Sequence, residues 1–129
     1  MDVPLLVTAA IITNKDKLLL IKRGREPFKG KWSLVGGCGA FQLNPKPKEA
    51  VKIEVKIDIG CKFEPTFFDY NYSKFEIPTV TMFFHGRISG KIQPSKKHVQ
   101  GYKWFERDEI KKLDLAFDHK EILRKFMNI

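Results

Sequence analysis

Apolar residues in this chain come in short alternating or continuous blocks, separated by polar clusters rich in Gly, Pro, Asn and Asp. Val3 to Thr13 and Lys17 to Lys22 are aliphatic and β-branched runs joined by Asn14-Lys15-Asp16, the turn chemistry of a hairpin. Arg23 to Lys31 is crowded with charge, Gly and Pro, which predicts an exposed loop. Trp32 to Val35 turns apolar and re-enters the core. Gly36-Gly37-Cys38-Gly39 follows, where backbone lacking Cβ atoms turns sharply or approaches a ligand closely.

The period then lengthens. Pro45 and Pro47 bracket a rigid connection, Pro47 suits the first turn of a helix running to Ile59, and Gly60 stops it. Lys62 to Ser73 and Ile77 to Ile88 are aromatic and β-branched, as strands of a buried sheet are, and His98 to Phe105 predicts one more strand. The aromatics between Phe67 and Phe84 read as core or as a subunit interface. Glu106 to Leu113 and Asp118 to Met127 predict helices. Asp118 with Glu121 has the spacing of a capping box, and Ile122, Leu123, Phe126 and Met127 form an apolar stripe. The order β-β-loop-β-α-β-β-β-α-α, without internal repeats, predicts an α/β (α+β) domain over 1–129: a sandwich around a mixed sheet.

On a wheel of about 100° per residue, Lys48, Lys52 and Lys56 of the first helix fall on one stripe, which predicts its water-facing side. Ala50, Val51, Ile53, Val55 and Ile57 occupy the rest, and Glu54 and Asp58 lie within this apolar arc, one turn apart. Two like charges surrounded by hydrocarbon require compensation by a metal ion, an Arg or Lys, or a shared proton. Magnesium suits such a pair, because it takes oxygen ligands and fills its shell with water and substrate phosphates. An internal salt bridge is the competing account.

The chain has 129 residues, 43% of them hydrophobic, enough for one compact core. Its 24 basic and 15 acidic residues leave a net charge of +9, which favours polyphosphates or acidic surfaces, or serves solubility. No helix-turn-helix, zinc-finger or RNA-binding signature accompanies that charge, so nucleic acid is not the expected partner. Cys38 and Cys61 lack zinc or redox spacing and read as reduced thiols. No basic leader precedes the first apolar run, and that run is far short of the roughly 20 residues of a membrane span. A cytoplasmic protein without membrane association is the expectation.

The segment Lys22-Arg23-Gly24-Arg25-Glu26-Pro27-Phe28-Lys29-Gly30-Lys31-Trp32-Ser33-Leu34-Val35-Gly36-Gly37, continued by the helix ending Glu54-Val55-Lys56-Ile57-Asp58-Ile59-Gly60, resembles a Nudix box and its lead-in. Leu115-Ala116-Phe117-Asp118-His119 is similar to a stretch of the same family, so the resemblance spans nearly the whole chain. The likeness is to the Nudix hydrolase superfamily, in its small ADP-ribose pyrophosphatase-like (MutT-like) subgroup. Gly37 matches the opening glycine, Glu54 the Glu of the Arg-Glu pair, Val55 the aliphatic, Asp58 the second paired acid and Gly60 the closing glycine. Departures are Val35 for the usual Pro, Ile53 for the Arg, Ile57 for the first paired acid, and Gln42 or Leu43 near the upstream Glu. Losing the Arg at Ile53 and its Glu partner together avoids an orphan charge. Losing the acid at Ile57 removes a group that acts on metal or water.

The resemblance implies a Nudix α/β/α sandwich, with Mg2+ or Mn2+ held by Glu54 and Asp58, which are also the catalytic candidates. Gly36 and Gly37 would contribute backbone carbonyls. Arg23 and Arg25 are candidates to clamp phosphate, mobile surface arginines being the other reading. The implied reaction is attack of water on a nucleoside diphosphate linked to another group, as in ADP-ribose or a nucleotide sugar. A nucleotide-binding module without turnover is the alternative, and a homodimer is compatible with this fold group. Glu64 and Glu76 are candidate replacement bases on charge alone. Trp32 and Phe28 are candidates for nucleobase stacking or for packing, and His85, His98 and His119 read as surface or hydrogen-bonded residues.

Overall fold

The two runs at the start do pair. In the computed structural model, which describes residues 3–74 and 77–129, β1 (Leu5–Asn14) and β2 (Lys17–Arg23) form an antiparallel hairpin in which Asn14 faces Lys17. Lys15 takes the left-handed φ of 55° that so tight a turn demands. β3 (Trp32–Ser33) pairs with β2, and β4 (Val35–Gly37) pairs with β1 across Thr8, Ala9 and Ala10. Gly36 is thereby set so close to β1 that a Cβ would lie 2.5 Å from the Thr8 carbonyl oxygen, a distance only glycine satisfies.

A short 3-10 helix (Gly39–Gln42) precedes α1 (Pro47–Ile59), which has the bounds the two prolines and Gly60 predict. Gly60 has φ 72°, the left-handed cap that ends a helix. β5 (Lys62–Ser73) and β6 (Thr79–Ser89) are antiparallel, and β6 lies parallel to β1, so the sheet is mixed. β7 (Val99–Glu106) adds to β2, and α2 (Arg107–Lys112) and α3 (His119–Met127) complete the chain.

Period-2 alternation sorts the sheet's side chains onto two faces. Ala10, Ile12, Leu19 and Ile21 pack with Val51, Val55 and Ile59 of α1. Their alternates Ala9, Ile11, Leu18 and Leu20 pack with Ile110 of α2 and with Ile122 and Leu123 of α3. This is the expected α/β/α sandwich.

Two local expectations are corrected. Asp118 makes no side-chain cap, because its φ of −98° and ψ of 22° are not the extended backbone from which such a side chain reaches the helix amides. The reciprocal box instead opens α2, where the Glu106 amide donates to Glu109 Oε1 at 3.0 Å. Ile57, read as part of the apolar face of α1, is 47% exposed. The aromatics expected as core or as an interface divide between the two kinds of position: Phe83 and Phe84 are core, while Phe67, Tyr70 and Tyr72 are exposed.

Candidate active site

Glu54 and Asp58 are buried one turn apart on α1, and both line a cleft of about 530 Å3 beside the glycine corner. Glu54 is oriented from two sides. Its Oε1 accepts a hydrogen bond from the Ala40 amide in the 3-10 helix at 3.1 Å, and Gly37 lies against the carboxylate. Asp58 is left with a buried Oδ1 that takes no hydrogen bond among the described residues. Burial first, and the charge of Glu54 second, push the Asp58 carboxyl up to about 7, against the opposing pull of Arg25 and Arg23. The salt bridge that would neutralise the pair is not made among the described residues.

Arg23 and Arg25 line the same cleft, as do Gly36 and Gly37, so all six residues singled out from the sequence converge. Arg23 is half-buried. Its Nε donates to the Pro27 carbonyl at 2.7 Å and its guanidinium lies 4.9 Å from the centre of the Phe117 ring. Burial, then the charge of Arg25, lower its pKa below the usual guanidinium value. Arg25 is exposed and lines the cleft.

Phe117 adopts a left-handed φ of 54° that turns its ring toward Phe28, 4.8 Å away edge-on, and lines the cleft wall. Trp32 is half-buried and packs on Phe105 at 4.9 Å, with no part in the cleft lining. Its role is packing.

Two histidines, to which sequence reasoning gave no part in the site, are cleft residues. His119 is buried, and its Nδ1 accepts the Leu34 amide at 3.1 Å, which fixes the neutral Nε2–H tautomer. Burial, aided by Arg23, brings its pKa down to about 3. The available signal was its place in the Leu115 to His119 segment, whose individual side chains carried no assigned role. His98 lies on the loop entering β7, with a buried Nδ1 that has no partner among the described residues and a pKa lowered by burial and then by Arg25 and Lys97. No spacing pattern marks it. Of the charge-based alternatives, Glu64 is exposed on β5 outside the cleft wall, and Glu76 lies outside the described residues.

The donor set fits a divalent cation of the magnesium type: two adjacent carboxylates, one oxygen orphaned, with no salt bridge to either among the described residues. Among the described residues no third His, Cys, Asp or Glu joins them, so water and substrate oxygens would complete the shell. No described helix is long and apolar enough to cross a membrane.

The chain is similar to known proteins along nearly its whole length. The chain is 30% identical to an ADP-ribose pyrophosphatase of Methanocaldococcus jannaschii, in an alignment covering 96% of this chain and 73% of the relative. Among solved structures it is similar to the NUDIX domain of Shewanella oneidensis NrtR complexed with ADP ribose, with a TM-score of 0.86, 20% identity and coverage of 99% of this chain and 89% of that one. A NUDIX hydrolase from Nitrosomonas europaea also gives a TM-score of 0.86, at 24% identity over 99% of this chain and 72% of that one. The NUDIX domain pattern matches residues 4–126, and the chain belongs to that family.

Proposed function

We propose that this protein hydrolyses the diphosphate of a nucleoside diphosphate joined to a second group, an ADP-ribose-like substrate, using Mg2+ or Mn2+ held by Glu54 and Asp58. The observation that carries the reading is the orphaned, buried Oδ1 of Asp58 beside Glu54, in a cleft that also presents Arg23 and Arg25. A buried pair of carboxylates lining the same cleft as two guanidinium groups suits a cation bridged to phosphate oxygens. The pyrophosphatase relative and the ADP-ribose complex of the NrtR domain support the choice of substrate. The cleft volume of about 530 Å3 is that of a site for such a ligand.

The chain's own residues divide the work. Arg23 and Arg25 bind the diphosphate, Arg23 held in direction by Pro27 and Phe117. Gly36 and Gly37 bring backbone close to the substrate, and the Ala40 amide holds Glu54 in one rotamer. A bound divalent ion supplies stabilisation of charge developing on the diphosphate. Water attacks phosphorus, and the bridging oxygen leaves with its electron pair.

A nucleotide-binding module without turnover is the second reading. It is favoured by the hydrocarbon of Ile57 in the cleft wall, where the family pattern has an acid. Purified protein incubated with ADP-ribose, nucleotide sugars, dinucleoside polyphosphates and nucleoside triphosphates, with Mg2+ or Mn2+, separates the two. Turnover of ADP-ribose that disappears in Glu54→Gln is the expected result. Thermal stabilisation by ADP-ribose with no product formed would establish the binding module instead.

A further inference from the structure

His98 belongs to no part of the machinery just described, yet it lines the cleft. Its loop is tied to two sides of the site by three backbone hydrogen bonds. The Ser95 amide donates to the Asp58 carbonyl at 2.8 Å and the Gln93 amide to the Ile59 carbonyl at 2.8 Å, fixing the loop to the carboxyl end of α1. The Gly24 amide donates to the His98 carbonyl at 2.9 Å, fixing the same residue to the segment between Arg23 and Arg25. A Cβ on Gly24 would lie 2.9 Å from the His98 carbonyl carbon, so the two segments are in close contact. The segment that carries His98 is thereby held between the carboxylate helix and the arginine loop.

No structural role accounts for its side chain. Nδ1 is sealed from water and bonded to nothing among the described residues, an arrangement that costs stability and recurs at functional positions. The residue itself is only partly buried and lines the cleft. The neighbouring charges are Arg25 and Lys97, both positive, which together with burial keep the ring neutral with a lone pair available. Meanwhile position 57, where the family pattern has an acid able to act on water, carries a hydrocarbon.

We propose that His98 is the catalytic base of this cleft, taking a proton from the attacking water in place of the acid absent at Ile57. The inference rests on the hydrolase reading above. The water oxygen forms the new bond to phosphorus as its proton passes to the His98 imidazole. The bond from phosphorus to the bridging oxygen breaks and the leaving phosphate takes the electron pair. The imidazolium then returns its proton to solvent.

The test compares wild type, His98→Ala and His98→Gln with ADP-ribose and Mg2+, alone and with added imidazole. The backbone hydrogen bonds of the loop survive these substitutions, and circular dichroism with thermal melting checks that the variants fold. Loss of a proton acceptor lowers kcat by about a hundredfold in both variants, with KM changed less than about threefold. Free imidazole restores His98→Ala by about tenfold or more, and substituted imidazoles do so in order of their basicity. In the metal-free protein, the ring nitrogen signals of His98 shift when a non-hydrolysable ADP-ribose analogue is added.

A His98→Gln variant at wild-type rate, a loss confined to KM, no rescue by imidazole, or ring signals indifferent to the analogue would each overturn the inference and leave the hydrolase reading standing. A wild type that turns over none of the diphosphates overturns both.

Discussion

Gly37 faces the carboxylate of Glu54 so closely that a Cβ added to the glycine would lie 2.9 Å from Oε1 and 3.1 Å from Oε2. The contact links the corner after β4 to the middle of α1. The opening glycine of the motif thus leaves room for an oriented acid.

Gly37→Ala is therefore expected to displace Glu54 from the Ala40 amide. Position 37 is not among the glycines with positive φ, so the backbone accepts alanine and the effect falls on the carboxylate. Mn2+ affinity should drop by about tenfold or more, as when the partners that orient a metal ligand are lost. Calorimetric titration with Mn2+ measures it, and unchanged affinity together with unchanged turnover would refute the account.

Asp58 and His119 oppose each other in acid. The Asp58 carboxyl is raised from 3.8 to about 7, so its contribution to stability is fully present below pH 3.8 and is lost as pH rises through 7. The His119 imidazole is lowered from 6.5 to about 3, so its contribution is present above pH 6.5 and is lost as pH falls towards 3. Each slope reaches about 1.4 kcal/mol per pH unit in magnitude, and between roughly pH 4 and 6.5 the signs are opposite. Asp58→Asn removes one slope. In the metal-free protein, urea titrations across this window should show the variant losing stability with falling pH much more steeply than wild type. Parallel curves would mean that Asp58 titrates near its ordinary value.

His119→Ala leaves the buried Leu34 amide without its acceptor and opens a void under Phe83, whose ring centre is 6.1 Å from the imidazole. The lost hydrogen bond costs about 1–3 kcal/mol, and the void adds to it. His119→Asn, which offers a side-chain oxygen, should recover part of this loss. Denaturant midpoints of the three proteins give the comparison, and equal destabilisation by Ala and Asn would assign the whole effect to packing.

Much of this was legible along the chain where the controlling signals are local. Pro47 and Gly60 delimit α1 because one fixes φ and the other accepts a left-handed cap, and both act on their own backbone. The convergence of Glu54 and Asp58 follows from helical spacing alone. What escaped depends on distant partners: Glu54 is met by an amide 14 residues away and His119 by one 85 residues away. The 3-10 helix that supplies the Ala40 amide has no periodic signature in four residues. Ile57 falls in the apolar arc because hydropathy on a wheel registers that arc and not the cleft it borders.

That exposure makes Ile57 the informative place to rebuild the site. A fully buried isoleucine would resist a charge, but Ile57 is 47% exposed and lines the cleft, so Ile57→Glu should change stability by no more than about 1 kcal/mol. A third carboxylate beside Glu54 and Asp58 should tighten Mn2+ binding by about tenfold, since two carboxylates leave most of the metal shell to water and substrate. Arg23 and Arg25 line the same cleft and offset part of the added charge. With wild-type His98 present, the gain should appear mainly in metal affinity. In the His98→Ala background the new carboxylate should also restore kcat, because it returns a proton acceptor to the position the family motif uses. Double-mutant kinetics decide it: rescue of kcat by Ile57→Glu only when His98 is absent indicates two groups sharing one role, and equal multiplicative effects in both backgrounds would mean that they act independently.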